Sequence, residues 1–276
     1  HDALPISTSK RPTGRGYRES PRFRVGREAR VRDLLGPDST GVRQSLVALG
    51  FSSITAVVAG GLLAAMTGTL ERYPGLLVLV PAAIGMRGNI FGALGSRLAT
   101  SIHAGTFRIS RRPETLVMQN VIAAGVLSLV TAVALAVLTK TLSPIFGLDS
   151  VIAISDLLVL SAVGALLSFL VLTAVTLAMA ARSAQRGWDL DDVNAPLVSA
   201  VGDVVTLPAL LVASLLLEID PLTKTLAVVL VVATGISLWW VRRTLLLVMR
   251  QVLIESLPIL FATGILLVIA GVVVEH

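Results

Sequence analysis

The main strongly polar side chains inside otherwise apolar runs of this sequence are Arg87, Asn89, Asn120 and Asp203. Arg87 and Asn89 lie in PAAIGMRGNIFGALGSRLAT, residues 81–100, among glycines and apolar side chains. Asp203 lies in DLDDVNAPLVSAVGDVVTLPALL, residues 189–211, and is its only carboxylate past Asp192. In helical register Ser199 at i−4 and Thr206 at i+3 share its face, so one side presents a carboxylate flanked by hydroxyls. That face suits a water-coated cation. A neutral oxygen from Asn89, and carbonyls that glycines leave uncovered, complete the donor types of a hard ion such as magnesium, which dehydrates reluctantly.

The neighbouring residues have structural readings as well as functional ones. Gly85, Gly88, Gly92 and Gly95 leave one helix face almost without side-chain bulk. Such a face serves close helix packing, or backbone that lines a cavity at membrane depth. Pro196 and Pro208 bracket Asp203, and an interior proline frees a carbonyl and bends a helix. Asp189, Asp191 and Asp192 either cap the start of that helix or draw cations to its mouth. Asn120 is expected to hydrogen-bond between helices. Arg87 either pairs with Asp203 and ties two helices together or competes with a cation for that carboxylate.

These residues need a membrane scaffold. The 276 residues are 54% hydrophobic and 14% charged, with mean hydropathy +0.85, whereas soluble domains carry about 25% charged residues. Seven runs, roughly 44–70, 74–98, 115–141, 157–181, 195–217, 225–241 and 256–274, are long enough to cross a ~30 Å hydrocarbon core. The expected fold is an all-α polytopic membrane protein. An ionisable group at the bilayer centre costs about 2.5–3.5 kcal/mol on insertion scales and faces a bundle interior or an aqueous path. Arg87 and Asp203 are therefore functional candidates.

The net charge of +6 does not point to nucleic acid, because ten of the 23 Lys and Arg lie at or before Arg43, in a leader with five acids. With the N-terminus cytoplasmic, 19 basic residues fall inside and three (Arg72, Lys140, Lys224) outside, with Arg87 at membrane depth. That bias orients the chain in a cell membrane with its last residue outside. No cysteine is present, so thiolate metal sites and disulfides are excluded. No cofactor is expected.

Residues 1–42 read as a basic cytoplasmic leader, in which VGREARVRDLL, 25–35, has the pattern of a short interfacial helix. HDALPIS, residues 1–7, resembles a translated sequencing adapter, and we expect the native start to be missing. Residues 43–218 hold five helices, 219–249 a linker helix, and 250–276 a seventh that resembles the first. RQSLVALGFSSITAVVAGGLLAAMTGTLER from Arg43 aligns with RQVLIESLPILFATGILLVIAGVVVEH from Arg250 after a three-residue gap. Both enter from the same side, as in a parallel repeat. Either the protein ends at His276, one helix into a second copy, or the seventh helix is the first of a second repeat in a longer transporter.

Enzyme motifs are missing: His1, His103 and His276 lack HExxH spacing, and there is no G-x-S-x-G elbow. Instead PAAIGMRGNIFGALGSRLATSIHAG together with NAPLVSAVGDVVTLPALL resembles the membrane domain of MgtE-type magnesium transporters. It is most similar to the related solute-carrier divalent-cation branch, in which a basic residue precedes Gly-Asn. The resemblance implies that Asp203 is the pore aspartate and that Gly88 and Asn89 belong to the helix-two motif. It further implies that helices two and five of two five-helix units line one cation path, with the units from a homodimer or a tandem repeat. The sensor-domain gating of bacterial members is not carried over to a chain with a short basic leader. Lack of thiolates and pore histidines disfavours softer metals as substrate. The expected function is transport of magnesium or a similar divalent cation. The alternatives are a membrane assembly protein held by an Arg87–Asp203 pair, and a transporter of another substrate.

Overall fold

The computed structural model describes residues 39–110, 112–148, 151–186, 190–244 and 246–275, with backbone alone for 39–45, 47–48 and 190–196. The basic leader, its 25–35 segment and Asp189 lie outside the described residues. Two compact units, His1–Thr40 and Gly41–His276, divide the chain. Apart from the first two residues of its first helix, everything below belongs to the second.

Among the described residues the chain is helical without strands, as hydrocarbon demands: a spanning helix satisfies each backbone N–H and C=O within itself. The long helices are α1 (Ser39–Ala65), α2 (Leu76–His103), α3 (Leu116–Leu142), α4 (Ile154–Arg186), α5 (Leu190–Ser214), α6 (Asp220–Arg243) and α7 (Leu247–Glu275). Six of them, from α2 on, are long and apolar enough to cross a membrane. The first expected run differs. It breaks at Met66 into α1 and a short helix, Thr67–Arg72, and its described apolar stretch is Leu49–Ala65, rising about 26 Å at 1.5 Å per residue. The α2 helix runs five residues past the expected end at Leu98, because Ser101 is buried and the chain keeps packing to His103.

The core is built around α2, which packs against α3, α4, α5 and α7. Its Leu76, Leu79, Met86, Phe91, Leu94 and Leu98 are fully buried. At ~1.5–3 kcal/mol per large apolar side chain removed from water, such burial would dominate in a soluble protein. In lipid, close packing and polar contacts take that role.

The α7 helix supplies many of those contacts. It lies antiparallel along α2, and four contacts mark the register from one end to the other. Arg97 Nη2 donates to Ser256 Oγ at 3.0 Å. A Cβ at Gly264 would meet Met86, and one at Gly85 would lie 2.6 Å from Leu267. At the far end the Glu275 carboxylate accepts the backbone N–H groups of Gly75 (3.0 Å) and Val78 (3.1 Å). These are among the N–H groups that a helix start leaves without intrahelical partners, and the helix dipole favours a negative charge there. Gly75 has φ +90°, a left-handed conformation open to glycine. Pairing of α7 with α2 and α3 binds this helix into the compact unit.

A Cβ at Gly271 would overlap the carbonyl of Val78, whereas one at Gly235 on α6 meets nothing within 4 Å. Gly271→Ala is expected to lower the thermal unfolding midpoint in detergent, through overpacking worth about 1–3 kcal/mol. Gly235→Ala should leave it unchanged or raise it slightly.

Candidate functional site

Arg87 sits near the middle of α2 and is fully buried, with 0% exposure. Helical packing on four sides gives it no route to water. None of its three guanidinium nitrogens has a hydrogen-bond partner among the described residues. It faces α5 at Gly202, where an added Cβ would lie 4.0 Å from the Arg87 Cβ. A Cβ there would make ordinary van der Waals contact with the arginine stem.

Asp203 is the next residue, near the middle of α5 and half-buried. It makes no hydrogen bond to a described residue, and no ion pair joins it to Arg87. The arrangement that would tie the two helices by charge is therefore not formed. Along the predicted face burial is graded: Ser199 is exposed, Asp203 half-buried, and Thr206 fully buried with its Oγ1 lacking a partner. The hydroxyls of Thr173 and Thr176 on α4 are likewise buried and unpartnered among the described residues. Asp192 and Pro196 lie on the α5 backbone, and their side chains are outside the described residues.

Asn89 points elsewhere. Two residues beyond Arg87 is a turn of about 200° round the helix, and its side chain is exposed. It lines a cavity of about 480 Å³ between α2, α3 and α7, whose wall does not include Asp203. Within one unit the chain thus sets Arg87 against Gly202, the residue before Asp203, and turns Asn89 away. The glycines divide too. Gly85 packs under Leu267, Gly95 is buried, and a Cβ at Gly88 would meet nothing within 4 Å among the described residues. Asn120 departs from expectation: its Nδ2 donates to the Leu116 carbonyl at 2.9 Å within its own helix, leaving Oδ1 buried without a partner. An i−4 carbonyl is always in reach, so a short amide near a helix start can use it instead of a neighbour.

The polar residues that sequence reasoning missed are on α7. Glu255 falls one residue before the expected run at 256, so it reads as a helix end. Its signal is a stripe at i, i+4 and i+8, Glu255, Ile259 and Thr263, lining the same cavity as Asn89 and Arg97. Among the described residues no three acidic or histidine side chains gather into a metal-chelating group. The arrangement can attract a cation electrostatically; it does not cage one.

A buried guanidinium without a partner is costly, so Arg87→Met, similar in length and uncharged, is expected to stabilise the fold by on the order of 2–3 kcal/mol. Thermal unfolding of the purified variant in detergent checks this, the expected sign being a higher midpoint.

Residues 80–213 match the family model of MgtE, a divalent cation transporter. The matched stretch begins in α2, ends in α5 and contains Arg87, Asn89 and Asp203. No curated protein and no solved structure matches the chain. MgtE is a family of transporters, not of enzymes. With six helices long and apolar enough to cross a membrane, this is a multi-pass membrane protein whose residues 80–213 match the MgtE divalent cation transporter domain.

Proposed function

We propose that the protein moves hydrated Mg²⁺ or a similar divalent cation across the cell membrane along a path walled by α2 and α5, with Asp203 as the residue that meets the ion. The observation that carries this reading is a half-buried carboxylate in mid-helix without a partner among the described residues. Such a group at bilayer depth faces an aqueous route or a bound cation. At ~5 Å, one water layer away, a doubly charged ion and a carboxylate attract by about 7 kcal/mol at an effective dielectric constant of 20. That holds the ion without stripping its waters, which Mg²⁺ gives up reluctantly. Ser199 and Thr206 stand beside it as neutral oxygens. The face open at Gly88 suits a second unit, from another copy of the chain or a second repeat, whose own α2 and α5 would close the path. The N-terminus is assigned to the cytoplasm from the excess of Lys and Arg on that side.

Divalent-cation uptake into proteoliposomes containing the protein is expected to fall to background on Asp203→Ala and to persist in part on Asp203→Glu. Uptake unchanged by Asp203→Ala would sink the assignment.

A further inference from the structure

The cavity between α2 and α7 is not part of the path just described. It extends for about 12 Å, the rise of eight helical residues, from Arg97 and Glu255 at one end to Asn89 and Thr263 at the other. Arg97 is held to one wall by its bond to Ser256 at 3.0 Å. Glu255 accepts a hydrogen bond from Gln251 through Oε1 at 2.8 Å and feels the Arg97 charge at the same end without an ion-pair contact to it, so Oε2 remains for another donor or an ion. At the deep end Asn89 is exposed into the cavity, in the middle of a 28-residue helix. Its amide has no hydrogen-bond partner among the described residues.

An amide at that depth, facing lipid, would lose several kcal/mol for its unmet hydrogen bonds. Water or the water shell of an ion meets them. The volume is sufficient, because an ion with six waters at ~30 Å³ each needs on the order of 200 Å³, against about 480 Å³ present. We propose that this cavity is a water-filled antechamber of the cation path, in which Glu255 concentrates the hydrated divalent cation and Asn89, with Thr263 opposite, receives it through its waters. The inference rests on the transport reading, and it makes α7 a third wall of the route, outside the 80–213 stretch matched by the family model.

The chain has no cysteine, so single cysteines report on the cavity directly. In proteoliposomes, Thr263→Cys and, as a second site should that variant misfold, Ile259→Cys are treated with a charged, membrane-impermeant methanethiosulfonate. Ala262→Cys, about 100° round the helix, serves as the control. Reaction at the cavity cysteine but not at 262, slowed by millimolar Mg²⁺, is the expected result. Glu255→Gln should weaken that protection and raise the half-saturating cation concentration for uptake about sixfold, the factor for a doubly charged ion ~8 Å from a carboxylate in water. A cavity cysteine that reacts only with a lipophilic maleimide is lipid-filled and overturns the proposal. So does reaction that Mg²⁺ fails to slow, or protection indifferent to Glu255→Gln. Uptake by Asp203→Ala separates the two readings: its loss alongside an inert cavity cysteine overturns the antechamber alone, and its survival overturns the transport path.

Discussion

A guanidinium buried at the centre of a membrane helix constrains everything around it. Arg87 is as closed off as the leucines beside it, yet it carries a charge that hydrocarbon penalises and that no described residue neutralises. Closing it off requires neighbours on every side of α2, and the bundle supplies them through α3, α4, α5 and α7. Its stem lies against α5 at Gly202, in ordinary van der Waals reach of an added Cβ, and Asp203 is the next residue on that helix.

Precision in α2 depends on α7. The two helices meet along their length, from Arg97 and Ser256 to the Glu275 carboxylate on the first N–H groups of α2. Gly271 lets the two backbones approach closely and Gly264 makes room for the Met86 side chain, which is how helices hold together where solvent exclusion gives no drive. A charged cap at one end and an arginine bond at the other fix the rotation of α2. That rotation decides that Arg87 faces α5 while Asn89 faces α7. The helix that resembles the first by sequence is therefore packed against the second and third, and α1, with Leu49, Ile54 and Val57 exposed, makes few contacts within the unit.

Much of the fold was legible beforehand. Apolar run lengths located six of the spans, because bilayer thickness dictates element length, and the Gly-Asn and aspartate motifs carried the family. The errors came where a side chain had a choice of partner. Asn120 found a carbonyl in its own helix rather than across to another. Glu255 was passed over because hydropathy marks where a run begins and says nothing about what faces it.

By itself the sequence determined that the chain is helical, that it crosses a membrane several times, and that Arg87, Asn89 and Asp203 are the costly residues within it. Those conclusions follow from composition and spacing, which act along one helix at a time. Only the tertiary structure decided which of those residues meet. Two positions on a helix are separated by a fixed angle, but the neighbour each one faces depends on how every other helix packs. That is why Arg87 lies against Gly202 and why Asn89 opens instead onto a cavity shared with Glu255 and Thr263.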